Sequence, residues 1–197
     1  MSMEIDILPL DDKLIKIQDE VRIFFDWDLK SDIESANQLL ATVENTSIDS
    51  WTRSQRSVTV ANLRRRLVLR ETKIAVLGAA IEESEIISML ENPTLFVAAD
   101  GAVGVLSTLP ESVSERAWSR LVCIVSDADG GAGTIEAVKR GIPIILHAHG
   151  DNKSSWRNLL GIALNMQSPP RIIPVSYTHL TFCLVNATRF PLKSGKK

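Results

Sequence analysis

The sequence predicts an α/β fold: a doubly wound, mostly parallel sheet preceded by an N-terminal α-helical segment. From Lys73 onward, apolar runs alternate with segments long enough for helices, which is the pattern of parallel strands joined by right-handed crossovers. The run Leu121–Val125 is short, rich in β-branched residues and apolar on both faces, as strands covered by helices on both sides are. The predicted strands are Ile74–Leu77, Leu95–Ala99, Leu121–Val125 and Ile142–Leu146.

The N-terminal segment has helical periodicity. Apolar residues recur at helical spacing across Asp12–Phe25, so this stretch is predicted to be an amphipathic helix whose apolar stripe lies in the core. The stripe consists of Leu14, Ile17, Val21 and Phe24 or Phe25. Asn45–Ser57 is predicted to be a polar loop, and Ser57–Arg70 a further helix.

Ser31 and Glu34 have the spacing of a capping box, which predicts that a helix begins at this point. The apolar residues that follow are expected to form its buried face. They are Ile33, Ala36 and Leu40.

The composition excludes several classes of partner. The net charge of −2 and the pI near 5.9 provide no field that would hold nucleic acid or an anionic membrane. The N-terminus carries Glu4 and Asp6 and lacks the basic segment of a signal peptide. We therefore expect a cytoplasmic protein.

A polar or glycine residue follows each predicted strand. These residues are Gly78, the pair Asp100 and Gly101, Asp127, and His147. Ligands of open α/β sheets bind just beyond the carboxyl ends of the strands, so these residues are expected to meet in one cleft.

Asp127 and Asp129 form an Asp-x-Asp pair, with Asp100 expected nearby. In an extended segment both carboxylates point to the same face, and their repulsion favours a bound cation. Mg²⁺ is the expected ion because it prefers oxygen ligands and joins carboxylates to phosphates. The alternative is a solvent-exposed Asp turn.

His147 and His149 alternate at a strand end, where they could orient a phosphate or a developing oxyanion. Two neutral loop histidines and a zinc site are the alternatives. The sequence contains neither a Walker phosphate loop nor a Rossmann fingerprint, so a nucleotide would be held by other means, such as the amides that follow Gly78.

Five segments together resemble the archaeal 6-hydroxymethyl-7,8-dihydropterin pyrophosphokinase family, whose core is similar to that of thiamin pyrophosphokinases. They are SDIESANQLL, IAVLGAAIEES, FVAADGAVGVL, IVSDADGG and IILHAHGDN, and the resemblance spans about Trp27 to Val175. The resemblance implies a Mg²⁺-dependent diphosphokinase. It would transfer pyrophosphate from ATP to the pterin alcohol, giving the diphosphate ester and AMP in methanopterin- or folate-type cofactor synthesis.

The resemblance also implies roles for individual residues. Asp127, Asp129 and Asp100 would bind the metal. Catalysis is assigned to Asp127, Asp129, His149 and Asp151, and binding of ATP or substrate to Gly78, Asp100, Gly101, Gly130, His147 and Asn152.

The chain departs from the family at two places. Gly78 is followed by Ala79, Ala80 and Ile81, where the family reads GAGPSLE, and the later Thr-Asp-Gly-Asp-Arg segment is missing. We interpret residues 1–71 as the helical segment, 72–175 as the catalytic core and 176–197 as an atypical tail, foreign or truncated.

Two other functions remain open on the sequence. One is an enzyme with the same core and another alcohol acceptor, such as thiamin. The other is a non-catalytic nucleotide-binding, motility- or glycan-associated relative. A homo-oligomer is also compatible, because a truncated sheet leaves strand edges that favour self-association.

Overall fold

The computed structural model describes residues 12–26, 28–68 and 72–175. The described part of the chain contains a five-stranded, all-parallel sheet flanked by helices, which confirms the α/β class. The strands are β1 Lys73–Leu77, β2 Thr94–Ala99, β3 Leu121–Ser126, β4 Ile144–His147 and β5 Ile172–Val175. The atypical tail lies outside the described residues.

The helices before the sheet are α1 Asp12–Phe24, α2 Leu29–Glu44 and α3 Arg53–Val68, with a 3₁₀ helix at Asp49–Trp51. Between the strands lie α4 Glu83–Leu90, α5 Val105–Thr108, α6 Glu111–Arg120, α7 Gly131–Lys139 and α8 Lys153–Leu164, with a 3₁₀ helix at Asp100–Gly104. No helix in the described ranges is both long and apolar enough to cross a membrane.

The strands follow one another in chain order, β1-β2-β3-β4-β5. Crossovers that all run in one direction and share one hand lie on the same face of a sheet. Accordingly, α4 to α8 pack their buried residues into one core cluster together with α2. The opposite face is covered by α3, whose Leu63 and Leu67 pack on β2, β3 and β5.

The fourth strand begins later than predicted, at Ile144 rather than Ile142. The amide of Ile142 donates to Ala137 O at 3.0 Å and so closes the end of α7. Pro143 has no amide hydrogen to contribute to a sheet. These two residues therefore belong to the connection.

The predicted core stripe of α1 is wrong for the side chains that the structure describes. Ile17, Val21, Phe24 and Phe25 are exposed, Phe24 at 81% of its surface. Periodicity correctly predicts the helix, but it carries no information on whether another part of the protein covers the apolar stripe.

The predicted start and buried face of α2 are also wrong. Asp28 caps the helix by accepting hydrogen bonds from the amides of Lys30 and Ser31. Ile33 is 51% exposed and Leu40 is exposed as well. The buried residues are Ser35, Leu39 and Val43.

A polar side chain on α2 explains which face is buried. The indole nitrogen of Trp156, in α8, donates to Ser35 Oγ at 3.1 Å inside the core. This hydrogen bond satisfies two buried polar groups at once. The helix is therefore rotated relative to the face that apolar residues alone would select.

The predicted loop Asn45–Ser57 is partly helical, since it contains the 3₁₀ helix and the start of α3 at Arg53. Trp51 is buried, and its indole nitrogen donates to Pro170 O at 2.7 Å. One tryptophan among polar residues gives no periodic signal. The N-terminal segment is therefore fixed to the sheet by long-range hydrogen bonds as well as apolar contacts.

The 3₁₀ helix Asp100–Gly104 packs directly on the start of α7, and we call this contact the glycine seam. A Cβ on Gly101 would lie 2.9 Å from Gly130 O, and one on Gly133 would lie 2.7 Å from Gly104 Cα. Real Cβ atoms do not approach backbone this closely, so both positions require glycine. Backbone therefore meets backbone between the elements that follow β2 and β3.

Replacement of Gly133 by alanine should open the seam. The added methyl group has no space, and overpacking of this kind costs about 1–3 kcal/mol in the free energy of unfolding. Gly161, within α8, is a matched control because no atom lies within 4 Å of the Cβ position. There alanine should stabilise the protein by about 0.5–1 kcal/mol. Urea denaturation of both variants checks this, and equal effects would contradict the seam.

Candidate metal centre

Three carboxylates meet at the carboxyl ends of β2 and β3. Ala99 pairs with Val125 across these strands, so Asp100 and Ser126 lie side by side where the strands end. Among the described residues, Asp100, Asp127 and Asp129 form a group whose ligand oxygens all lie within 4.8 Å of one another. The structure thus brings together the residues predicted to bind Mg²⁺.

The carboxylates of Asp127 and Asp129 come together in a different way from that predicted. β3 ends at Ser126, and Ala128 adopts a left-handed conformation with φ 77°, so the Asp-Ala-Asp segment is not extended. The amide of Asp129 donates to Asp127 Oδ1 at 3.2 Å. A turn, not the alternation of a strand, sets the positions of these side chains.

Asp100 is tied to this turn through Ser126. The Ser126 hydroxyl donates to Asp100 Oδ1 at 2.5 Å and accepts from the amide of Ala128 at 2.9 Å. Asp100 itself has φ 48°, which is uncommon for a residue with a side chain. Ser126 is 3% exposed. The sequence did not indicate a role for it, because a single serine at the end of a strand is common.

The crowded carboxylates divide their charge unequally. The hydrogen bond with Asp127, followed by the one with Asp100, raises the pKa of Asp129 to about 7. The hydrogen bond from His149 holds the pKa of Asp127 well below its usual range, against the effect of burial. Like charges this close require a proton or a cation between them. A proton shared between these carboxylates is therefore only partly present at neutral pH.

His149 is the histidine that contacts this group. Its Nε2 lies 3.3 Å from Asp127 Oδ2, and its Nδ1 contacts Asp151. The hydrogen bond to Asp127 raises the pKa of His149, although burial opposes the shift. The imidazole ring thus bridges Asp127 to the exposed Asp151.

Asn152 holds the ends of β3 and β4 together. Its amide nitrogen donates to Asp127 O at 2.7 Å and to His147 O at 2.9 Å, and its oxygen accepts from the amide of His149 at 2.9 Å. Both amide hydrogens are used in these contacts, and the residue is buried. Asn152 therefore links the backbone at the end of β4 to the loop that follows β3.

The other predicted site residues also lie at or beyond the carboxyl ends of the strands. Buried His147 ends β4, and its ring centre lies 5.3 Å from that of His149. Gly101 and Gly130 belong to the glycine seam. Gly78 follows the edge strand β1, and a Cβ there would meet no atom within 4 Å, so close packing does not require glycine at this position.

A cavity of about 360 Å³ adjoins the carboxylate group at His149. Its lining consists of Asp26 and Asp28 before α2, Ser31 and Asp32 in the first turn of α2, and residues 149–151. Four of these residues are aspartates. The cavity therefore presents acceptors to groups that donate hydrogen bonds or carry positive charge.

Asp32 is a site residue that the sequence reading missed. Its Oδ1 accepts a hydrogen bond from the amide of Gly150 at 2.8 Å, across the boundary between α2 and the loop after β4. An acidic residue in the first turn of a helix is common, so sequence alone gives no sign of this contact. The N-terminal segment thus completes the cavity wall.

The donor set fits a hard divalent cation. It consists of carboxylate oxygens, which Mg²⁺ and Mn²⁺ accept, and thiolates are not among the residues of the group. Both ring nitrogens of His149 face carboxylates, which makes this histidine a poor zinc ligand in the observed arrangement. The group therefore suits a divalent cation held by oxygen ligands.

Binding of Mn²⁺, used here in place of Mg²⁺, should depend on pH. A proton on Asp129 competes with the cation below a pKa of about 7, so affinity should fall as pH is lowered from 8 to 6. One competing proton gives about a tenfold loss per pH unit well below the pKa. Calorimetric titration measures this, and Asp129→Asn should bind more weakly with a shallower pH dependence. Equal slopes in both proteins would contradict the shared proton.

Replacement of Asp32 by alanine should free the loop after β4. The Gly150 amide then loses its acceptor, so its hydrogen exchange, followed by NMR, should accelerate about tenfold, and stability should fall by about 1 kcal/mol. Asp32→Asn retains an acceptor oxygen and should protect the amide better. Unchanged exchange in the alanine variant would show that the contact does not hold the loop.

Comparison with known proteins identifies no family, since no protein-family model and no curated protein matches the chain.

Proposed function

We propose that the protein transfers a pyrophosphoryl group from Mg-ATP to 6-hydroxymethyl-7,8-dihydropterin, giving the diphosphate ester and AMP. The observation that carries this proposal is the group Asp100, Asp127 and Asp129 beside an acidic cavity. We relate the core to the catalytic domain of thiamin pyrophosphokinases, and the parallel sheet with helices on both faces supports that relation.

The three aspartates would hold Mg²⁺, which supplies charge neutralisation and orientation for the phosphates of ATP. Phosphoryl transfer requires positioning and electrostatic stabilisation more than covalent participation by the protein. This requirement matches a site built from carboxylates fixed by turns and backbone packing.

The start of α7 provides a second group of contacts for phosphate. This helix begins at Gly131, two residues after Asp129, and no side chain caps its first amides. Free amides and the helix dipole favour an anion at such a terminus. His149, whose pKa is raised by its hydrogen bond with Asp127, lies between the aspartates and the cavity.

The cavity supports a pterin as the acceptor. The ring system of a dihydropterin carries several N–H donors, and the cavity presents aspartate oxygens as acceptors. Because the cavity adjoins the metal group at His149, an alcohol held there would lie next to the phosphates.

The same lining favours a second candidate, an enzyme that acts on thiamin. Thiamin carries a positive charge, and four aspartates around one cavity attract a cation. The two candidates share the metal centre and differ only in the acceptor.

Formation of AMP from ATP distinguishes these functions when the pterin alcohol and thiamin are supplied side by side. We expect turnover with the pterin, and turnover with thiamin alone would establish the second candidate. An absence of turnover with both, despite ATP binding, would favour a non-catalytic nucleotide-binding protein.

Asp127→Ala and Asp129→Ala should each reduce turnover more than a hundredfold and leave the circular dichroism spectrum unchanged, because each removes a ligand of the metal. Glu91→Ala is the control, because this exposed residue lies just before β2, at the end of the sheet opposite the site. A near-normal rate in either aspartate variant would refute the metal-pair mechanism.

A further inference from the structure

Thr134 has an unusual environment at the start of α7. It is 1% exposed, and its hydroxyl has no hydrogen-bond partner within the described parts of the chain. A buried hydroxyl without a partner is unfavourable, and in native proteins such groups are few and often functional.

The hydroxyl of a threonine in a helix often donates a hydrogen bond to the carbonyl four residues earlier. Thr42 and Thr59 do so, with hydrogen bonds to Gln38 O at 2.7 Å and Gln55 O at 2.9 Å. The corresponding carbonyl for Thr134 belongs to Gly130, which instead faces Gly101 across the glycine seam. Thr134 therefore differs from these two threonines of the described helices.

The unpartnered hydroxyl lies next to Asp100. A Cβ on Gly130 would lie within 2.6 Å of both Thr134 Oγ1 and Asp100 Oδ1, so the two oxygens flank the same point. Ser126 already donates to Asp100 Oδ1 at 2.5 Å. The hydroxyls of Ser126 and Thr134 thus lie near the same oxygen of Asp100. The hydroxyl of Ser126 already donates to it, whereas that of Thr134 still has a hydrogen to donate.

We propose that Thr134 is a positioning residue of the metal centre, whose hydroxyl donates to Asp100 Oδ1 when the Asp100 carboxylate binds a divalent cation. The inference rests on the proposed function, because it assigns Thr134 to the same cation site. With Ser126 and Thr134 on Oδ1, the other oxygen of Asp100 is left to the cation. Hydrogen bonds of this kind orient ligating carboxylates and tune metal affinity.

Calorimetric titration of the full chain with Mn²⁺, at fixed pH and ionic strength, tests the proposal. Thr134→Val removes the hydroxyl and keeps the shape, so it should weaken Mn²⁺ binding by about 10- to 100-fold. Thr134→Ser keeps the hydroxyl and should bind within about threefold of wild type. Without Mn²⁺, the valine variant should melt no lower than wild type, because the hydroxyl it lacks had no partner.

Thr59→Val is the matched control, since Thr59 is also buried in a helix but donates to Gln55 O. It should lower the melting temperature and leave Mn²⁺ affinity unchanged. If Thr134→Val does not fold, the comparison of Thr134→Ser with Thr134→Ala takes its place.

Wild-type affinity in Thr134→Val, or equal weakening in the valine and serine variants, would overturn the role of the hydroxyl while leaving the metal site intact. If wild type binds Mn²⁺ no better than Asp127→Asn, the metal centre itself is refuted, and the proposed function fails with it.

Discussion

The glycine seam is the contact on which the site depends, because it brings together backbone from two successive strand ends. Gly101 and Gly104 approach Gly130 and Gly133 more closely than any side chain would allow. Asp100 begins one side of this contact, and Asp129 directly precedes the other. The distance between the carboxylates is therefore set by backbone packing, which is stiffer than packing between long side chains.

Charge is the second constraint on the site. Three aspartates meet in one group, where the hydrogen bond with Asp127 raises the pKa of Asp129 to about 7 and the one between Asp127 and His149 raises the pKa of His149. A hard divalent cation bound to the carboxylate oxygens would also reduce the repulsion between the three aspartates. The arrangement is thus suited to a divalent cation, whose affinity would be coupled to proton release.

The N-terminal helices are part of the same functional unit as the sheet. Ser35 and Trp51 connect them to Trp156 and to Pro170 O, and Asp32 connects α2 to the loop that carries His149. These contacts complete an acidic cavity next to the metal group. Residues that precede or begin α2 and residues of the loop after β4 therefore line this cavity together.

The sequence by itself determined β1 to β4, apart from the start of β4, and the polar or glycine residues that follow them, because apolar runs and turn residues are local signals. It also identified Asp100, Asp127, Asp129 and His149 as neighbours, since parallel strands align their carboxyl ends. Only the tertiary structure decided which face of α2 is buried and that Asp32, Ser126 and Thr134 adjoin the site. Those outcomes depend on contacts between residues far apart in the chain, such as Ser35 with Trp156, and periodicity along one helix carries no information about them.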